Sequence, residues 1–226
     1  MPIAILIGFH CTGKTSTRRE LKNIIKDVVY DFVDTDFEIC RDPKYDGIER
    51  IFLDLVRGSD RDAALNHIEQ NEKEYLKGAN LHEKPLLIAI GPAMPLHTED
   101  WLQFVERAKA FDATIFHFTK KPELILQVLK RRQSSDAKKI INGARADQHP
   151  NFGSWNADIL NGYNDATARW QPYSDDEQLS RITKLIAQRD VTYAQSADRT
   201  VDMSVSKNSN EFQMHLRAVA AAMGIG

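Results

Sequence analysis

Aliphatic residues fall in short unbroken runs along this chain, and between the runs they recur at helical spacing. Ile3 to Ile7 is apolar at every position and ends in glycine, which predicts a strand covered on both faces, as in a parallel sheet. Val28 to Val33, Leu86 to Ile90 and Thr114 to Phe118 predict three further strands, and Thr200 to Val205 a weaker fifth. Helical period appears in Leu21, Ile24 and Ile25, then in Ile48, Ile51, Phe52 and Leu55, and again in Leu65, Ile68, Tyr75 and Leu76. It returns in Leu102, Val105 and Ala108, and in Leu124, Val128 and Leu129. Ser59 predicts an N-cap and Gly78 the close of the same helix, while Pro122 fits a first helical turn. Ser209 predicts the cap of a last helix through Phe212, Leu216, Val219 and Met223. Strand and helix alternate, so the expected architecture is one α/β doubly wound domain over residues 1–226, with ligands at the carboxyl edge of a mainly parallel sheet.

One stretch departs from this pattern. Ser134 to Asp176 is rich in Asn, Gly, Asp and Gln, carries Phe152, Trp155, Tyr163, Trp170 and Tyr173, and holds neither period. Structureless segments of this length inside a compact domain are uncommon and usually functional, which predicts a lid or a small insert subdomain over about 134–176. Its aromatic residues suit a satellite core, or stacking on a base.

The charge balance narrows the partners. Lys+Arg 30 against Asp+Glu 32 leaves a formal charge of -2, which gives no electrostatic footing for nucleic acid or an anionic membrane as main partner. Cys11 and Cys40 are the only cysteines, too few for a disulfide framework, and they do not form a CxxC site. With no basic leader and no apolar run long enough for a bilayer, the expected location is the cytoplasm.

The chemistry starts at residues 8–16, GFHCTGKTS, where Gly8, Gly13, Lys14 and Thr15 occupy the fixed positions of G-x-x-x-x-G-K-T. An apolar strand precedes the loop and a helix follows it, the arrangement that turns backbone N–H groups and a helix N-terminus toward phosphate. Gly8 and Gly13 allow close backbone approach, Lys14 reaches the β/γ-phosphates of ATP, and Thr15 offers a hydroxyl to Mg²⁺. His10, Cys11, Thr12 and Ser16 complete the nucleotide-binding set; Cys11 reads as a loop filler, and His10 as a nucleotide neighbour or a surface residue. A D-x-x-G loop and an N-K-x-D motif are both missing, which weighs against a switch GTPase. Asp34 and Asp36 are the candidate carboxylates: alternate residues of an extended segment point the same way, so one can hold Mg²⁺ through its waters while the other orients or deprotonates an acceptor hydroxyl.

These segments together resemble the shikimate kinases. The likeness runs in order through ILIGFHCTGKTSTRREL, FVDTDFEI, GIERIF, the surroundings of Ile68-Glu69, TIFHFTKKPELILQVLKRR and RDVTYAQSADRTVD. It implies a five-stranded sheet in the order 2-3-1-4-5 and ATP-dependent phosphorylation of a hydroxyl. It also implies that Asp34 is on the metal side, that Asp36 contacts the acceptor, that Arg189 pairs with an acceptor carboxylate, and that Arg131 or Arg132 covers the nucleotide base. Gly91 falls at the turn that touches the acceptor in that family. Two positions depart from the pattern: Asn66 and His67 replace an arginine, for which Arg61 is the nearest substitute, and Gly91-Pro92-Ala93 replaces a glycine triplet. Both weigh against shikimate itself. Arg145 and Arg169 are the arginines of the insert, and Arg145 is expected to meet the transferring phosphoryl group. Beside the small-molecule kinase stand two other readings, a kinase of the same build for a sugar acid, nucleoside or antibiotic, and a nucleotide-binding regulator whose insert contacts a protein partner.

Overall fold

The computed structural model describes residues 2–25, 29–39, 61–81, 85–136, 157–164 and 169–225. In chain order these form β1 (Ile3–Ile7), α1 (Lys14–Ile24), β2 (Asp31–Asp34), α2 (Thr35–Glu38), α3 (Arg61–Gly78) and β3 (Leu86–Ala89). There follow α4 (Thr98–Ala110), β4 (Thr114–Thr119), α5 (Pro122–Asp136), α6 (Ala157–Leu160), β5 (Asn161–Asn164), β6 (Arg169–Pro172), α7 (Asp175–Ser196), β7 (Arg199–Asp202) and α8 (Asn210–Ala222). The expected helix around Ile48 to Leu55, its neighbour cap Ser59, and Arg145 all lie outside the described residues.

Five parallel strands make one sheet in the order β2-β3-β1-β4-β7, the expected order with β7 as its fifth member. β1 is central, with Ile5 opposite Ile88 on one side and Ile115 on the other, and all five of its residues are buried. That double coverage is why its sequence shows no polar alternation. Ala4 and Leu6 join Leu87, Phe116, Phe118 and Val201 in a core with Leu21 of α1 and with Phe212, Leu216 and Val219 of α8. Ile3, Ile5 and Ile7 point to the opposite face, as alternate strand residues must. Ser209 caps α8 as expected, its Oγ accepting from Phe212 N at 3.1 Å.

The chain divides into two compact units, one of residues 1–39, 71–121 and 187–226, the other of residues 40–70 and 122–186. The first holds the whole sheet. In the second, β5 and β6 pair antiparallel, with Tyr163 opposite Trp170, so part of the segment that shows no period is a hairpin. With four residues per strand and few aliphatics, it offers too short a pattern to read as alternation. Within this unit Gln178 Nε2 donates to Leu160 O and Tyr173 O at 3.0 Å each, and the Arg181 guanidinium lies 4.3 Å from the Tyr173 ring centroid. α7, 22 residues long, begins at Asp175 and so takes up the end of the expected insert; it is absent from the periodic segments above because its apolar positions are sparse. No helix among the described residues is long and apolar enough to cross a membrane.

Candidate active site

The carboxyl end of β1 turns at once into the glycine-rich loop. Gly8 has φ 140 and Gly13 φ 107, both in the region that favours glycine, and a Cβ on Gly8 would collide with the carbonyl oxygen of Phe118 on the neighbouring strand. Cys11, at φ 63, takes a left-handed turn without being glycine, which fits a role in shaping the loop. Thr12 is buried and its hydroxyl donates to Phe9 O at 2.9 Å, bracing the loop from within. Gly13 begins α1 with no side-chain cap, so the loop brings no side-chain oxygen of its own to the helix start. His10 packs edge-on against Phe9, with ring centroids 5.2 Å apart, and Ser16 is exposed.

Lys14 is buried under this loop. Its Nζ donates to Gly8 O at 2.7 Å and Phe9 O at 3.1 Å. Burial pulls its ammonium from the ordinary 10.5 down to about 8, against the opposing pull of Asp36, Asp34 and Cys11, while the positive Arg189 adds to the lowering. Both aspartates and Arg189 therefore act electrostatically on one ammonium.

The two carboxylates reach this place by a route the residue spacing does not predict. β2 ends at Asp34 and the chain turns helical at Thr35, so Asp36 belongs to the first turn of α2 and not to an extended segment. Asp34 Oδ2 accepts from Thr15 Oγ1 at 2.7 Å. Asp36 packs instead on Gly91, where any Cβ would collide with its Oδ1. Thr35, fully buried between them, accepts from Gly91 N at 2.7 Å.

Arg189, on α7, stacks above the Phe9 ring with its guanidinium carbon 5.3 Å from the centroid, and its Nη1 is buried with no hydrogen-bond partner among the described residues. One turn further, the buried Tyr193 donates from Oη to Pro92 O at 2.5 Å. Burial pushes the Tyr193 phenol up, so it stays a donor. Next to Arg189, Asp190 Oδ1 lies 3.2 Å from His117 Nε2 of β4.

Gly8, His10, Cys11, Thr12, Gly13, Lys14, Thr15, Ser16, Asp34, Asp36, Gly91 and Arg189 thus all belong to the first unit, at one end of its sheet. Arg131 and Arg132 are exposed on α5, and Arg61 begins α3, all in the second unit; the side chain of Arg61 lies outside the described residues. Thr35 and Tyr193 fall inside the quoted segments FVDTDFEI and RDVTYAQSADRTVD, but sequence reasoning gives them no role. Their signal is faint: a threonine between two aspartates, and a tyrosine four places after Arg189.

Mg²⁺ fits this arrangement. It takes hard oxygen ligands, one or two from protein and the rest from phosphate and water, and the Thr15 hydroxyl and Asp34 carboxylate lie together beside the loop. Among the described residues no group of three or more His, Cys, Asp or Glu side chains gathers, and a metal shared with phosphate needs none.

In sequence the chain matches no protein-family model and no curated protein. In structure it is similar to a shikimate kinase from Bacteroides thetaiotaomicron, at TM-score 0.57 and 14% identity, over 99% of this chain and 98% of that one. It is similar also to the Acinetobacter baumannii shikimate kinase solved in complex with shikimate, at TM-score 0.56 and 15% identity, over 99% and 94% of the two chains. The fold is shikimate-kinase-like. A P-loop kinase fold of this kind accounts for the strand order and for the position of the phosphate loop after the central strand.

Proposed function

We propose that this chain is an ATP- and Mg²⁺-dependent kinase that phosphorylates a hydroxyl of a small, carboxylate-bearing metabolite. The observation that carries the reading is the division between two aspartates, Asp34 on the Thr15 hydroxyl and Asp36 on Gly91. A protein that only bound nucleotide would need the first and not the second.

Bound ATP with Mg²⁺ supplies the phosphoryl group and neutralises the charge that develops during in-line transfer. Lys14 exchanges the carbonyls of Gly8 and Phe9 for phosphate oxygens, the residues of the loop from Gly8 to Ser16 line the phosphates, and Thr15 and Asp34 hold the metal. Asp36 takes the proton of the acceptor hydroxyl. Arg189 offers its buried Nη1 to the acceptor carboxylate, a bond of the charge-assisted kind worth about 1.5–3 kcal/mol.

An acceptor other than shikimate is favoured by the turn after β3. Pro92 has no N–H to give, and its carbonyl is occupied by Tyr193. A panel of hydroxy acids, sugar acids, nucleosides and aminoglycosides, assayed for ADP release, tests the reading. One member should raise ADP release well above the rate with water alone, and Asp36→Asn should remove that increment. Release that stays at the water rate with every acceptor would overturn it.

A further inference from the structure

One polar side chain interrupts the apolar run of β4. Ile115, Phe116 and Phe118 are buried, and His117 among them is only 2% exposed. Strand alternation turns it away from the core that Phe116 and Phe118 join, onto the face where α7 meets it. Its partners in sheet register, Ile7 and Thr200, carry no charge. Charge comes to it from α7: Asp190 Oδ1 lies 3.2 Å from His117 Nε2, and the Tyr193 ring packs with its centroid 5.3 Å from that of the imidazole. At that contact Nε2 makes no hydrogen bond among the described residues, so Asp190 answers the charge of the ring and not its direction. A neutral His117 keeps a buried nitrogen without a hydrogen bond, whereas a protonated one gains a carboxylate.

Arg189 and Asp190 are consecutive on α7, and both act on the Tyr193 phenol. Burial pushes that phenol up and keeps it neutral; Arg189 pulls it down, while Asp190 and Asp36 push it further up. His117, Tyr193, Asp190 and Arg189 therefore share one corner of the first unit, and in it Arg189 Nη1 is buried with no hydrogen-bond partner among the described residues. Lys14 is the other cation within reach, since Arg189 acts on its ammonium.

We infer that His117 and Asp190 form a proton-dependent counter-charge to Arg189, a pair of positioning residues that sets how tightly Arg189 holds an anionic acceptor. This rests on the kinase reading for the identity of the anion, though not for the charges. While His117 is neutral, the carboxylate of Asp190 stands beside Arg189 in sequence and opposes a second carboxylate in the same corner. A proton on His117 engages that carboxylate and adds positive charge, so Arg189 holds the acceptor more tightly. The Asp190 side chain is 38% exposed, which gives the proton a route from solvent. Anion affinity therefore rises as pH falls through the His117 midpoint.

The test follows the His117 Cε1–H signal by NMR titration of the full, ligand-free chain, with His117→Gln identifying it among the seven histidines. Asp190→Asn should lower its midpoint by at least about half a pH unit, roughly a threefold loss of proton affinity, and Arg189→Gln should raise it by at least about 0.3. Asp190→Ala and Arg189→Met take their places should either variant fail to fold. A signal that does not titrate between about pH 5 and 9, or a midpoint that stays put in either variant, overturns the inference even if thermal stability falls. With an acceptor from the panel, its KM should rise about threefold or more as pH climbs through that midpoint, and in His117→Gln this step should vanish. A step that survives in His117→Gln also overturns the inference, because a histidine that only fills space would alter stability and leave the step in place. The titration needs no turnover, so its failure is distinct from failure of the kinase reading, which shows in the acceptor panel.

Discussion

Thr15 Oγ1 donates a 2.7 Å hydrogen bond to Asp34 Oδ2 across 19 residues of sequence, joining the first turn of α1 to the last residue of β2. The two oxygens face the phosphate loop from different elements, so their spacing is set by the sheet and not by either side chain's freedom. On the proposed reading, replacing either partner should leave the loop intact and weaken the metal position alone. Asp34→Asn and Thr15→Val should each raise, on the order of tenfold, the Mg²⁺ needed for half-maximal thermal stabilisation by ATP. Melting curves over a Mg²⁺ series check this.

Asp36 packs on Gly91, and its substitution should separate binding from chemistry. Asp36→Asn should hold ATP affinity within about threefold and lower turnover of the true acceptor by roughly 10²-fold, the range for a positioned general base. Calorimetry gives the first quantity and coupled ADP release the second.

Lys14 gives the site a pH signature. Its folded pKa of about 8 lies below the ordinary 10.5, so between those values the unfolded chain binds the extra proton and stability rises with pH. Below about 8 the cost of the buried charge is constant, near 3 kcal/mol at about 1.4 kcal/mol per pH unit. Denaturant unfolding of wild type should therefore gain on Lys14→Met from pH 8 to 10, and stay parallel to it from pH 6 to 7.5. ATP affinity should run the opposite way, falling above pH 8 as the ammonium loses its proton.

Gly8 combines a backbone conformation that L side chains rarely adopt with contact against Phe118 O. Gly8→Ala should destabilise the ligand-free protein by about 3 kcal/mol or more, since the atom the new Cβ strikes, Phe118 O, is backbone of the neighbouring strand and cannot rotate away. A urea midpoint close to that of wild type would contradict this.

The parts of the fold that announce themselves in sequence are those where one local rule decides. β1 is legible because burial on both faces removes every polar residue, the phosphate loop because Gly8 and Gly13 supply two positive φ angles, and the α8 start because Ser209 offers an oxygen to Phe212 N. The route of Asp36 is not legible. Period-two alternation treats DTD as strand, whereas a long-range bond from Gly91 to Thr35 makes it strand end followed by helix. Tyr193 is hidden for a similar reason: its partner, Pro92 O, lies 101 residues away. The hairpin of β5 and β6 gives four residues per strand, below what alternation resolves. Long α7 carries too few aliphatics to mark its period.

That Asp34 closes a strand and Asp36 lies in the first turn of a helix has an evolutionary corollary. On the proposed kinase reading, the nucleotide half of the apparatus is anchored in the register of the sheet, while the acceptor half rides on a four-residue turn and the Gly91 turn bonded to it. A descendant of this chain could exchange one acceptor for another by rewriting residues 35–39 and 91–93, with its means of energising the reaction inherited untouched.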